Sequence, residues 1–280
     1  MIQYIFIAIL QGLFEWLPIS SSGQTFLIAI NIFNISPDEA YSLSIWLHLG
    51  TTLAVLVKFR NDYYKIFKSF LPNKSIVDEI DIKKRNWLIY ATLGTGITAL
   101  PLYFIFRIII LGAFTAFQGD LITLIISGLL ILTGIILLKT RKIYGKNTVE
   151  EISKDIILKD SFISGIIQGT SILPGISRSG VTVSAILLEK YNQDNALKLS
   201  FLMSVPVVIA SIIVDTLFGN GSIFGFGVIL ISITTLISFL VGYLTIEVLL
   251  RIAQKISFGY FCISYGLVTY LIIVPFLFLA

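Results

Sequence analysis

Between Gln11 and Gln24 the chain reads QGLFEWLPISSSGQ, a polar and poorly helical stretch within an apolar N-terminal segment. It holds one carboxylate, three consecutive serines, a proline and two glycines, whereas the residues on both sides are almost all hydrophobic. Proline and glycine disfavour a continuous helix here. The stretch therefore predicts a break between two short helices.

The composition of the chain is typical of a membrane protein. Hydrophobic residues make up 56% of the 280 residues and charged residues 13%, against about 25% charged residues in soluble domains. The mean hydropathy is +0.94. We predict an all-α polytopic membrane protein. A single cysteine excludes a disulfide framework, and no nucleic-acid motif is present.

Six segments have the length of about 20 apolar residues that a membrane span requires. They are Tyr41–Phe59, Trp87–Ile109, Asp120–Leu138, Ala196–Phe218, Phe224–Val248 and Phe258–Leu279. Two further apolar regions, Ile2–Ile35 and Ser161–Glu189, are interrupted by LPISSSG and LPGISRSG. Each half is about 12–14 residues, too short to cross. Two re-entrant helical hairpins are therefore predicted beside the six spans.

The distribution of Lys and Arg predicts the orientation of the chain. With both hairpins re-entrant, 18 of the 20 basic residues fall on one face, mostly within 58–85 and 139–159. The two others are Arg107 and Arg178. The basic face is predicted to be cytoplasmic, which places both chain ends outside.

The two interrupted regions resemble each other in sequence. Gln-Gly and the later Ser-x-Ser-Gly recur with an offset of 157 residues, at 11–12 and 20–23 and again at 168–169 and 177–180. Each interrupted region is followed by three predicted spans. The pattern predicts one integral membrane domain over residues 1–280, with an inverted-topology repeat of halves at about 1–140 and 161–280, as in many transporters.

Glu15 is an ionisable residue inside a predicted membrane segment, which indicates a functional site by default. Gln11 lies four residues earlier, on the same helical face. A purely structural pairing, for instance with Arg178, is the alternative for this carboxylate. The serines at 20–22 either satisfy backbone groups at the break or include a nucleophile.

Arg178, in PGISRSG, indicates an anion site at the second break. A half-helix beginning near Gly180 directs its N-terminus at the turn, and helix N-termini attract anions. Arginine adds a bidentate donor that suits phosphate, and nearby serines and Thr182 add hydroxyls. A carboxylate beside a phosphate site predicts a divalent cation, Mg²⁺ or Ca²⁺, because both take oxygen ligands.

Together, QGLFEWLPISSSG and LPGISRSG resemble the signature of the undecaprenyl-diphosphate phosphatase family, the bacitracin-resistance type. The resemblance covers the whole chain and includes HLG at 48–50, FLMSVP at 201–206 and ISFGYFCISYG at 256–266. It implies a membrane hydrolase that removes the terminal phosphate from a C55-type polyprenyl diphosphate and so recycles carrier lipid for envelope glycan synthesis. It also implies metal use by the first motif, and phosphate handling and catalysis by the serine run and Arg178.

The predicted site draws on both interrupted regions. The residues predicted to be catalytic are Glu15, Ser21 and Arg178. The residues predicted to bind substrate are Ser20, Ser22, Gly23, Gln24, Ser177, Ser179, Gly180 and Thr182. The residues predicted to bind the metal are Gln11 and Glu15.

One position departs from the pattern of the family. Members usually carry histidine directly after SSSG, where this chain has Gln24, and glutamine cannot exchange a proton near neutral pH. The only histidine in the chain is His48. The sequence favours a packed or backbone-bonded role for it, with a position facing the site as the alternative.

A second function from a different class is a flippase for polyprenyl phosphate or another lipid phosphate, because inverted repeats suit alternating access. A third possibility is a phosphatase that also transports its product. The enzyme is favoured, since a pure transporter has little use for Glu15 beside three serines. Expected partners are the polyprenyl diphosphate and membrane lipids, and a homodimer is left open. The expected location is the plasma membrane, with the site open to the outside.

Overall fold

The computed structural model describes residues 1–71, 78–111, 116–140, 145–219, 227–255 and 258–279. Within these ranges the chain is all-α, with eleven α-helices and no strand. The helices are α1 (Ile2–Phe14), α2 (Ser21–Asn31), α3 (Pro37–Lys58), α4 (Arg60–Lys68), α5 (Glu79–Leu111), α6 (Ala116–Thr140), α7 (Lys154–Gly169), α8 (Arg178–Leu188), α9 (Gln193–Phe218), α10 (Gly227–Lys255) and α11 (Phe258–Leu279).

Six of the described helices, α3, α5, α6, α9, α10 and α11, are long and apolar enough to cross a membrane. Each overlaps one of the six predicted spans, and the largest difference is at α5, which begins at Glu79 instead of Trp87. The predicted start of the fifth span, at Phe224, lies outside the described residues, as do parts of the two basic loops at 72–77 and 141–144. Helices α3 and α9 begin earlier than predicted because Ser36 and Asn192 cap their polar first turns.

Both interrupted regions contain two short helices, as the proline and glycine positions predict. Helix α1 ends at Phe14 and α2 begins at Ser21, and this couple is called the first helical pair. Helix α7 ends at Gly169, a 3₁₀ turn follows at Thr170–Ile172, and α8 begins at Arg178, which gives the second helical pair. Helix α4 was not predicted, because its charged sequence within 58–85 resembles a basic loop.

The two halves of the chain pack into each other. Helix α1 of the first helical pair packs on α10 from the second half, whereas α7 of the second helical pair packs on α5 from the first half. Helix α3 contacts α9 between them. One buried hydrophobic cluster surrounds the first pair and includes Ile7, Phe26 and Phe106. Another, with Trp87 and Ile186, surrounds the second pair.

Helices α5 and α7 approach each other closely through glycine. A Cβ atom added at Gly165 would overlap the carbonyl oxygen of Ala91, and one added at Gly94 would overlap that of Phe162. Small residues let helices approach in membranes, where close packing replaces the hydrophobic effect as the driving force. This contact anchors the second helical pair and therefore helps to position the turn that carries Arg178.

Gly165→Ala is expected to destabilise the protein by about 1–3 kcal/mol, because the added methyl group overpacks a backbone contact between α5 and α7. Gly96→Ala, on the same helix α5, is the matched control, since a Cβ atom there meets nothing within 4 Å. The control should be neutral or slightly stabilising, because alanine is the better helix former. Thermal unfolding in detergent measures both variants, and equal unfolding temperatures would contradict the expectation.

Candidate active site

In each helical pair a serine caps the second helix. Ser20 Oγ accepts a hydrogen bond from the N–H of Gly23 at 3.3 Å, and Ser177 Oγ accepts one from the N–H of Gly180 at 3.1 Å. The caps satisfy N–H groups that the first turns of α2 and α8 leave unpaired. Ser20 holds a left-handed backbone with φ of 59°, an uncommon conformation for serine that occurs at functional sites.

The turns of the two helical pairs are in direct contact. Ser20 Oγ also accepts a hydrogen bond from the N–H of Gly175 at 3.1 Å. A Cβ atom at Gly23 would lie 2.7 Å from the nitrogen of Gly175, so a larger residue does not fit there. Gly175 itself has φ of +101°, a conformation that favours glycine. The two breaks are therefore in contact through the Ser20 side chain and the backbone of Gly175.

The Glu15 carboxylate is the centre of a buried polar cluster. Its Oε2 accepts hydrogen bonds from Gln11 Nε2 at 2.8 Å and from Ser21 Oγ at 2.7 Å. Its Oε1 forms an ion pair with Nη2 of Arg178, which reaches across from the second helical pair. Only 4% of the Glu15 side chain is exposed. Its charge is therefore stabilised by these partners instead of by water.

His48, on α3, also reaches this carboxylate. Its Nδ1 lies 2.6 Å from the carbonyl oxygen of Ser44, and its Nε2 lies 3.3 Å from Oε2 of Glu15. The ring is therefore bonded to the backbone, as the sequence favours, and it also faces the site. His48 was not predicted to belong to the site. The available signals were that it is the only histidine in the chain and that HLG at 48–50 is part of the family resemblance.

Arg178 has one occupied and one vacant donor group. Its Nη2 is held by Glu15, while its Nη1 is buried and has no hydrogen-bond partner among the described residues. Its side chain is 13% exposed. A buried N–H donor without a partner is costly, so Nη1 is available to an incoming acceptor.

These groups surround a cavity of about 70 Å³, enough for several water-sized groups. Residues on the cavity wall that the sequence predicted are Glu15, Ser20, Ser21, Ser22, Arg178 and Ser179. Tyr41, Ser44, His48, Thr95 and Gln168 are wall residues that it did not predict. The cavity lies where the N-termini of α2 and α8 meet, which suits an anion.

The other predicted site residues lie behind the wall. Gln24 Nε2 lies 3.5 Å from the carbonyl oxygen of Ile19, and Thr182 Oγ1 donates to the carbonyl oxygen of Arg178 at 2.7 Å. Gln11 contacts the rear of Glu15 and does not line the cavity. Gly23, Ser177 and Gly180 form the caps and the contact between the turns described above. These residues position the site, and their predicted contacts with substrate stay predictions.

A second buried polar network lies one helical turn beyond the cavity, toward the N-terminus of α3. Asp215 Oδ1 accepts a hydrogen bond from Tyr103 OH at 2.9 Å and lies 3.3 Å from Nη1 of Arg107. Asp38 Oδ1 lies 3.1 Å from Nη2 of the same arginine. Asp215 follows the wall residue Ser211 by four residues on α9. The network therefore joins α3, α5 and α9 at one end of the cavity.

Comparison with known proteins identifies the family of the chain. Residues 4–270 match the family described as bacitracin resistance protein BacA, so the chain belongs to that family and is a multi-pass membrane protein. A protein of Methanothrix thermoacetophila named undecaprenyl-diphosphatase is 42% identical over 96% of this chain and 95% of its own length. Proteins with the same name from Methanococcoides burtonii and Methanopyrus kandleri are 36% and 31% identical, over 96% and 92% of this chain and 97% and 90% of their own lengths.

Proposed function

We propose that this protein is an integral membrane phosphatase that hydrolyses a C55-type polyprenyl diphosphate to the monophosphate and inorganic phosphate. The names of its relatives support this activity. The observation that carries the proposal is an ion pair across the two turns, between a buried carboxylate and an arginine that keeps one N–H donor group unpaired. Glu15 holds Ser21 by a hydrogen bond, and Arg178 retains a free donor at Nη1 beside them.

The terminal phosphate would bind at Arg178 and at the N-termini of α2 and α8. Phosphate carries its charge on several oxygens, which suits the planar fork of arginine and the N–H groups of a helix terminus. Ser22 and Ser179 line the cavity and supply further hydroxyl donors. These donors stabilise the charge that spreads over the phosphate oxygens during transfer.

Ser21 is the hydroxyl group best placed to attack phosphorus. Its Oγ already donates a hydrogen bond to Glu15 Oε2, so the proton can pass to the carboxylate as the new P–O bond forms. The bond between the terminal phosphorus and the bridging oxygen breaks, and the polyprenyl monophosphate leaves. Water then hydrolyses the phosphoserine, which returns the serine hydroxyl and releases inorganic phosphate.

A divalent cation fits this site in part. No cluster of three or more His, Cys, Asp or Glu side chains that could hold a metal occurs in the part of the chain described. Glu15 nevertheless lies on the cavity wall beside serine hydroxyls, and Mg²⁺ commonly uses one or two carboxylates together with substrate phosphate. When bound, Mg²⁺ or Ca²⁺ would neutralise charge on the diphosphate. Gln11 would hold Glu15 in position from behind.

The proposed architecture is a single membrane domain with two re-entrant hairpins in an inverted repeat. The caps at Ser20 and Ser177 support it, because they are equivalent by the offset of 157 residues and bond to equivalent glycines. The reciprocal packing of α1 on α10 and of α7 on α5 supports it as well. None of these four short helices at the breaks is among the six candidate spans.

The proposed location is the plasma membrane, with the site opening to the outside and membrane lipids around the spans. There the enzyme would return carrier lipid for envelope glycan synthesis. A homodimer is also part of the proposal. The flippase alternative is favoured by one observation, the interlocking of two similar halves around a central cavity.

Phosphate release by the purified protein tests the proposal. The protein in detergent is given a long-chain polyprenyl diphosphate, with Mg²⁺, with Ca²⁺ and with EDTA. We expect release that requires the cation and is lost in Ser21→Ala. Transport of a labelled polyprenyl phosphate across vesicles, without any phosphate release, would instead establish the flippase.

A further inference from the structure

The hydrogen bonding of His48 fixes which ring nitrogen carries the proton. Its Nδ1 lies 2.6 Å from the carbonyl oxygen of Ser44, and a carbonyl oxygen can only accept. The proton of the neutral ring is therefore on Nδ1. Its Nε2 then presents a lone pair toward the cavity, 3.3 Å from Oε2 of Glu15.

A positive charge must lie between two such lone pairs: either a proton on Nε2, which makes His48 an imidazolium ion paired with Glu15, or a bound metal cation. Oε2 of Glu15 already accepts from Gln11 and Ser21, and Oε1 is paired with Arg178. An imidazole held by a backbone carbonyl at Nδ1 is the usual arrangement of a metal-bound histidine, because that bond orients the ring and fixes its tautomer. Two cis ligands of an octahedral ion with bonds of about 2.1 Å lie about 3.0 Å apart, close to the observed separation.

We infer that His48 Nε2 and Glu15 Oε2 form the protein's cation site, and that Gln11 is not a ligand. The inference rests on the proposed function, since substrate phosphate and serine hydroxyls would complete the coordination. His48 and Glu15 both line the cavity, whereas Gln11 does not and donates its amide N–H to the carboxylate. The amide oxygen Oε1 of Gln11 is buried and has no hydrogen-bond partner among the described residues.

The nitrogen ligand determines which cation the site prefers. Mg²⁺ and Ca²⁺ favour all-oxygen sites, whereas imidazole is a good ligand for the first-row transition metals. A site of one imidazole and one carboxylate should therefore bind Mn²⁺ more tightly than Mg²⁺ or Ca²⁺. Gln24 has no part in the proposed cation site, because its side chain contacts the carbonyl oxygen of Ile19 within the first helical pair.

Mn²⁺ binding provides a test independent of activity. The full-length protein, purified with a tag that lacks histidine, is titrated with Mn²⁺ while free Mn²⁺ is followed by electron paramagnetic resonance. Pulsed measurements on bound Mn²⁺ then report coupling to nitrogen. Because His48 is the only histidine in the chain, an imidazole signal has a single source. His48→Gln removes the ring.

We expect imidazole coupling in the parent protein, its loss in His48→Gln, and at least a tenfold rise in the Kd for Mn²⁺ in that variant. Mn²⁺ bound without imidazole coupling, or with a Kd unchanged in His48→Gln, would overturn the inference. So would the absence of bound Mn²⁺, both without and with inorganic phosphate, which supplies the missing oxygen ligands.

Phosphate release measured in parallel separates this inference from the proposed function. Release without imidazole coupling would overturn the histidine ligand and leave the phosphatase intact. Imidazole coupling without release would retain the cation site and overturn the phosphatase. Thermal unfolding of His48→Gln in detergent confirms that a loss of Mn²⁺ binding comes from a folded protein.

Discussion

Arg178→Ala is expected to lower the rate of phosphate release by about 10³-fold or more, the effect of removing an arginine that stabilises a transferring phosphate. Arg178 is the one cationic side chain on the cavity wall as described, and its Nη1 is buried without a partner. The alanine variant removes the charge and both donor groups together. Release of inorganic phosphate from a polyprenyl diphosphate under single-turnover conditions measures the effect.

Two further variants make this result interpretable. Arg178→Lys keeps the positive charge but loses the planar fork, so an intermediate loss of about 10²-fold is expected. Arg251→Ala removes an exposed arginine of α10 and should leave the rate within twofold of the parent. If Arg178→Ala kept a tenth of the parent rate while remaining folded, phosphate would have to be held elsewhere.

Glu15→Gln is expected to lower the rate by about 10²–10⁴-fold, the usual contribution of a general base. The amide has nearly the same shape as the carboxylate, but it cannot take the proton that Ser21 now donates to Oε2. It also leaves Arg178 without its charge partner in a buried position, so a lower unfolding temperature should accompany the loss of activity.

Glu247→Gln is the matched control for this substitution. Glu247 is an ion-paired glutamate like Glu15, but it contacts Lys58 at the surface and its side chain is 60% exposed. Exposed pairs contribute little to stability, so activity and unfolding temperature should both stay close to the parent values. A similar loss of activity in the two variants would show that the effect of Glu15→Gln is not specific to the site.

The fold was largely predictable because membrane insertion imposes strong rules on the sequence. Span length and the interruptions by proline and glycine each act over many residues. Helix α4 was missed because it is short and amphipathic, and its charged residues resemble a loop. The early starts of α3 and α9 depended on the caps at Ser36 and Asn192, which hydropathy does not detect.

The candidate site was predictable only where its residues are neighbours along the chain. Gln11 and Glu15 share a helical face by spacing, and Arg178 follows a recognisable turn. His48 could not be placed, because its contact with Glu15 depends on how α3 is rotated against the first helical pair. Gln24 was assigned to the substrate by its position after SSSG, while the structure turns its side chain back to the carbonyl of Ile19.

The ion pair between Glu15 and Arg178 has a consequence for the resting protein. It is a contact between the two halves of the chain, alongside the bond from Gly175 to Ser20. A phosphate that recruits both donor groups of Arg178 must first draw Nη2 away from Glu15. The free energy needed to break this contact between the halves therefore offsets part of the affinity for the lipid. A variant that strengthens this ion pair should therefore raise the unfolding temperature of the substrate-free enzyme and lower its affinity for the lipid.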